Sequence, residues 1–162
     1  MSSYLSIYLK DPKNKKYILL HCVSRCDKTY QTFYDTFHFE WGKLKPMEAK
    51  DFDEWLTTIA AEKKLYEDNI IEYKAKIEQI YKANNSLEEK LEAISEFEAS
   101  IKDNEEELDY MIRPYAIVYS LQDIMENYSL SSLYKNEILI YAGIEVETPK
   151  DEQENYIDPC YD

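Results

Sequence analysis

Residues 52–89 read FDEWLTTIAAEKKLYEDNIIEYKAKIEQIYKANNSLEE, and this stretch decides the fold. One seam, Phe52, Ile59, Tyr66, Tyr73 and Ile80, recurs every seven residues, and a companion seam runs Leu56, Lys63, Ile70 and Ile77. Offsets of four and three between the seams are those of coiled-coil core positions, and only Lys63 breaks the apolar run. Pro46 suits the first turn of a helix, so a long helix is expected over residues 47–83. Ala83-Asn84-Asn85 interrupts it, and Ser86-Leu87-Glu88-Glu89 forms a capping box in which hydroxyl and carboxylate satisfy the free amides of a new helix start. The chain turns back there.

The returning helix carries Leu87, Ile94, Ile101 and Leu108 at sevenfold spacing, with Leu91, Glu98, Glu105 and Ile112 at the companion positions. Two acids in that companion row imply a seam that is tight at its ends and wet in its middle. Residues 47–112 are therefore expected to form an antiparallel helical hairpin, part of which projects from a small head. Arg113-Pro114 breaks or bends the helix, because proline lacks the amide that the ladder needs. Residues 115–128 then form an apolar helical segment with Ile117, Val118, Leu121, Ile124 and Met125.

Outside the hairpin the periodicity changes from helical to alternating. Tyr4 to Leu9 and Tyr17 to Val23 are β-rich runs around the turn residues Asp11-Pro12-Lys13-Asn14-Lys15, the signature of a β-hairpin. Asp27 can cap a short helix whose Tyr30, Phe33, Tyr34 and Phe37 make an aromatic stripe to cover that hairpin. Glu137-Ile-Leu-Ile-Tyr-Ala142, ending at Gly143, reads as a third strand. The expected class is α+β: a small antiparallel sheet covered by helices, with a head of residues 1–46 and 113–147, the hairpin of residues 47–112, and an acidic mobile tail of residues 148–162.

Composition bounds the function. The chain has 162 residues, of which 33 are acidic and 19 basic, for a net charge of -14. Residues 1–50 carry 9 basic and 5 acidic side chains, whereas residues 51–112 carry 7 basic and 18 acidic. A basic head and an acidic body repel nucleic acid and acidic membranes from the body and attract basic proteins. Only Arg25 and Arg113 are arginine, the residue whose forked donors read bases and phosphates, so direct nucleic-acid binding is not expected. No apolar run is long enough to span a bilayer, and an odd cysteine count, Cys22, Cys26 and Cys160, points to a reducing, cytoplasmic setting.

No catalytic, cofactor or metal site stands out. His21, Cys22 and Cys26 approach zinc-ligand spacing, but a strand would send His21 and Cys22 to opposite faces, leaving a small buried cysteine beside a satisfied histidine. Neither His21 nor His38 sits in a nucleophile or metalloprotease motif. Cys26 next to Arg25 could be an activated thiol, and Arg25 itself is expected to bond Asp27 or a nearby carboxylate.

The surfaces expected to work are the hairpin tip at Asn84 and Asn85, the acidic positions Glu88, Glu92, Glu96, Asp103, Glu106 and Glu107, and the tail residues Tyr156 and Tyr161. The expected function is non-enzymatic docking on a protein with a basic surface, with no cofactor and no membrane, and exposed seam residues also allow a homodimer. The alternative is a nucleic-acid mimic of mobile-element or phage type that inhibits a nuclease or related factor. In that reading Glu88, Glu92 and Glu96, about 6 Å apart along one helix, imitate phosphates, although Lys90 and Lys102 interrupt the field.

Overall fold

A computed structural model describes residues 3–10, 17–38, 42–127 and 137–144. In order these form β1 (Ser3–Lys10), β2 (Tyr17–Ser24), α1 (Lys28–Thr36), β3 (Leu44–Met47), α2 (Ala49–Lys82), α3 (Leu87–Tyr110), α4 (Ile112–Asn127) and β4 (Glu137–Ile144). The four strands make one antiparallel sheet in the order β2-β1-β4-β3, so the class is α+β. Two compact units divide the chain: residues 1–58 with 113–162, and residues 59–112.

In the sheet-bearing unit the expected hairpin forms, with Leu5 opposite Val23 and Ile7 opposite His21, and Leu20 bulging out of register before Tyr8 pairs with Leu19. The connecting residues 11–16 lie outside the described residues. The C-terminal strand does not stop at Gly143 but runs to Ile144, between β1 and β3. Gly143 sits there because a Cβ would run into the ring of Tyr141, a close approach that only glycine permits. Both central strands are buried on both faces: Leu5, Ser6, Ile7 and Tyr8 in β1, and Ile138 through Ala142 in β4. One face carries Ile7 paired with Ile140, the other a cluster of Tyr8, Leu139 and Tyr141 flanked by Tyr17 and Leu44.

One strand escaped the sequence. Pro46, expected to open a helix, lies instead in β3, a four-residue edge strand where a missing amide costs no ladder bond. The helix starts three residues later, at Ala49, where Asp51 Oδ2 accepts the Glu48 amide at 2.8 Å and the Asp51 amide returns to the Glu48 carbonyl at 3.0 Å.

Asp27 caps α1 as expected, its Oδ1 accepting the Thr29 amide at 2.8 Å. Of the aromatic stripe, Tyr30, Phe33 and Phe37 are buried and Tyr34 is exposed. Phe33 and Phe37 pack against Trp55 of α2 at centroid distances of 5.2 and 6.3 Å. The Trp55 indole is fully buried and donates to Thr32 Oγ1 at 3.0 Å, so a large apolar ring enters the core with its one polar group satisfied. Pro114 falls in the first turn of α4, where its missing amide would be unpaired anyway, and Val118 and Leu121 of that helix are fully buried.

In the other unit α2 and α3 pack antiparallel. Ser86 caps α3 by accepting the Glu89 amide at 3.3 Å, which is the hydroxyl half of the expected capping box. The first seam of α2 stands, with Ile59 buried and Tyr66, Tyr73 and Ile80 half-buried. Lys63 is exposed and pairs with Glu67 at 3.7 Å, so it is no core defect.

The companion row of α3 needs correction by one residue. Leu91, Glu98, Glu105 and Ile112 are all exposed, and so is Leu87. The inward row is Lys90, Phe97, Asn104 and Met111, which with Ile94, Ile101 and Leu108 alternates spacings of four and three without a gap. Met111 and Ile94 are buried. Phe97 meets Tyr73 at 5.9 Å between centroids, and Lys76 Nζ lies 5.8 and 5.7 Å from the two ring centres, a cation over paired aromatic faces.

Across the same seam Asn69 Nδ2 donates to Asn104 Oδ1 at 3.2 Å, while Asn104 Nδ2 donates to the Ser100 carbonyl at 2.8 Å. A half-buried asparagine pair in a coiled seam trades stability for register, because only one alignment satisfies both amides. Asn104→Leu alone should cost about 1–2 kcal/mol in urea denaturation, since it strands the Asn69 amide. Replacing both asparagines by leucine should restore or exceed the original stability while sedimentation shows self-association or mixed species.

Candidate functional site

The outer face of α3 gathers most of the residues singled out from the sequence. At 100° per residue Glu88, Glu92, Glu96, Asp103 and Glu106 fall within an arc of about 80°, on the side of the helix away from the inward row, and extend about 27 Å along its axis. All five are exposed. Glu107 does not join them, because it turns toward the seam and is half-buried. Asn84 and Asn85 are exposed in the link between the helices. Tyr156 and Tyr161 lie outside the described residues.

The charge environments of the two helices differ. On α2 three of the acids are compensated locally: Lys64 pairs with Asp68 at 2.8 Å, Lys63 with Glu67 at 3.7 Å and Lys76 with Glu72 at 3.1 Å. None of the five stripe carboxylates on α3 makes an ion pair among the described residues. Like charges four apart cost a helix a few tenths of a kcal/mol each, and the favourable field of the helix N-terminus reaches only Glu88, not Glu92 or Glu96.

Lys90, expected to interrupt the stripe, does not. Its Nζ points back to the Tyr81 carbonyl at 3.3 Å, satisfying one of the free acceptors at the end of α2. Two apolar side chains instead border the stripe: Leu87 and Leu91, 72% and 58% exposed. They share one flank of α3, and their apolar character together with spacings of seven and three from Ile94 imitates a seam position.

A second cluster lies in the sheet-bearing unit. Arg113 Nη1, from the first turn of α4, reaches Asp27 Oδ2 at 2.8 Å, although Arg25 was the expected partner. Asp27 thus caps α1 with one oxygen and holds α4 with the other, and its side chain is only 12% exposed. Burial, and then the Arg113 charge, lower the pKa of His21 below its usual 6.5. A folded chain that sheds this proton early loses stability as acid protonates the unfolded state first. The effect begins as pH falls through about 6.5 and ends below the folded pKa. His21→Gln should flatten that part of the stability profile between about pH 7 and pH 5, measured by urea denaturation of both proteins.

His21 and Cys22 occupy successive positions of β2 and so opposite faces, and among the described residues no group of three or more His, Cys, Asp or Glu side chains could hold a metal ion. Cys22 is disulfide-bonded, where a reduced thiol was expected, and Cys26 is free and exposed. No helix among the described residues is long and apolar enough to cross a membrane. Comparison with protein-family models, curated proteins and solved structures finds no match.

Proposed function

We propose that this is a non-enzymatic binding protein that docks through the outer face of α3 onto a protein with a basic, partly apolar surface. The observation that carries the reading is the uncompensated stripe of Glu88, Glu92, Glu96, Asp103 and Glu106, set beside lysine-paired acids on α2. A merely solvated face gains from interspersed lysines, as α2 shows. The stripe forgoes them, and lysines or arginines of a partner would supply the missing charge while Leu87 and Leu91 bury against its apolar side chains.

The test compares proteins captured from source-organism lysate, with nuclease added, by the unaltered chain, by Glu88→Lys/Glu92→Lys/Glu96→Lys, and by Leu87→Ser/Leu91→Ser. The reading expects one basic protein to be lost with the charge reversal, by roughly a hundredfold in affinity, and weakened about tenfold by the serine pair. Undiminished capture by both variants would move the binding surface elsewhere.

Nucleic-acid mimicry is the second reading, favoured by the position of Lys90, which leaves Glu88, Glu92 and Glu96 unbroken along about 12 Å of helix. The two readings separate on competition. A mimic's partner is displaced by added DNA or RNA, whereas a docking partner that binds no nucleic acid is indifferent to it.

A further inference from the structure

Two rows of coiled-coil spacing overlap on α3 and share Ile94, Ile101 and Leu108. Lys90, Phe97, Asn104 and Met111 complete the row that faces α2. The other row, Leu87, Leu91, Glu98 and Glu105, is exposed throughout. A helix with core spacing on two sides has places for two neighbours, and α2 fills one. Ile101 and Leu108, common to both rows, are only half-buried with α2 in place.

The unfilled flank has an apolar end and an acidic run. At about 100° per residue in an antiparallel pair, Tyr81 comes to the side of α2 that adjoins the Leu87 and Leu91 side of α3. Lys90 Nζ on the Tyr81 carbonyl at 3.3 Å holds the two helix ends together there. Tyr81, 63% exposed, therefore borders one groove with Leu87 and Leu91, an apolar patch rimmed by charge of the kind that marks an interaction surface. Glu98 and Glu105 continue the row, and neither makes an ion pair among the described residues. The charge that complements this groove is positive, and a second copy would set acid against acid in a chain of net charge -14. An extended segment would find no backbone partners on helices whose own main-chain groups are engaged in their ladders. A helix satisfies its own backbone and matches the three–four spacing of the row.

We propose that the docking partner presents an amphipathic basic helix, which lies in this groove as a third helix. Its aliphatic side chains meet Tyr81, Leu87 and Leu91, and its lysines or arginines meet Glu98, Glu105 and the neighbouring stripe. The inference rests on the docking reading and specifies its partner. The test follows the full isotope-labelled chain by amide NMR at about 150 mM salt, where exposed charges are partly screened. One titrant is a three-heptad peptide of lysine with leucine at alternating four- and three-residue spacing, and the other is an isomer of equal composition whose leucines form no stripe. The striped peptide should give saturable shifts at Tyr81, Leu87, Leu91 and Glu98 with a Kd of about 10 μM or below, and its isomer should bind at least about tenfold more weakly. Leu87→Ser/Leu91→Ser, exposed changes that leave the thermal melt unaltered, should abolish that preference. Equal affinity for the isomer, a preference that survives the serine pair, or no saturable shift up to about 1 mM would overturn the proposal. Self-association of the free chain that the serine pair abolishes would overturn it too, assigning the groove to a second copy. Should any of these occur while charge reversal of the stripe still releases a captured partner, docking through α3 stands and the helical partner falls.

Discussion

Trp55→Ala should destabilise the sheet-bearing unit by about 3–5 kcal/mol, a large part of the 5–15 kcal/mol that a typical domain possesses. The indole is fully buried against Phe33 and Phe37, so truncation removes apolar burial and leaves a cavity that these two rings cannot both collapse into. Trp55→Phe isolates the polar part. It keeps most of the ring packing but loses the bond to Thr32 Oγ1, and should cost about 1–2 kcal/mol. Thr32 tolerates that loss because its hydroxyl still donates to the Lys28 carbonyl at 2.7 Å. Guanidinium denaturation followed by far-ultraviolet circular dichroism measures both. A cost below about 1 kcal/mol for Trp55→Ala would mean that α1 does not depend on α2 for its packing.

The second large effect separates the inward row of α3 from its apolar flank. Ile94 is buried at 5% exposure, and Ile94→Ala should cost about 2–4 kcal/mol. Leu91→Ala, three residues away, should change stability by no more than about 0.5 kcal/mol, because Leu91 is already in water. Urea denaturation of the two variants decides the register. Equal costs would restore Leu91 to the seam and contradict the one-residue correction.

That correction shows how much of the molecule can be read from its residues. The β1–β2 hairpin, the Asp27 and Ser86 caps, the long α2 and the C-terminal strand all follow from local patterns that the structure keeps. The register of α3 was legible as well, since positions 90, 94, 97, 101, 104, 108 and 111 alternate four and three without a gap. Reading it requires accepting Lys90 and Asn104 as inward residues, and hydrophobicity alone prefers Leu87, Leu91 and Ile112. β3 was hidden for a different reason: four residues containing Pro46 carry no strand signal, and only pairing with β4 makes them one.

The candidate surface was half legible. Glu88, Glu92 and Glu96 are visible as a fourfold repeat, but whether their charge is compensated depends on where Lys90 points, and that is decided by the Tyr81 carbonyl across the link. The choice of Arg113 over Arg25 as partner of Asp27 is a contact between residues 86 apart in sequence, beyond any local pattern.

The most direct test of the docking surface is carboxyl footprinting of the chain, alone and in complex with its captured partner, with labelling of each acid followed by mass spectrometry. Docking through α3 predicts protection of Glu88, Glu92, Glu96, Asp103 and Glu106, with Glu67 and Asp68 on α2 labelled as before. Unchanged labelling of the α3 stripe in a complex that protects acids elsewhere would contradict it.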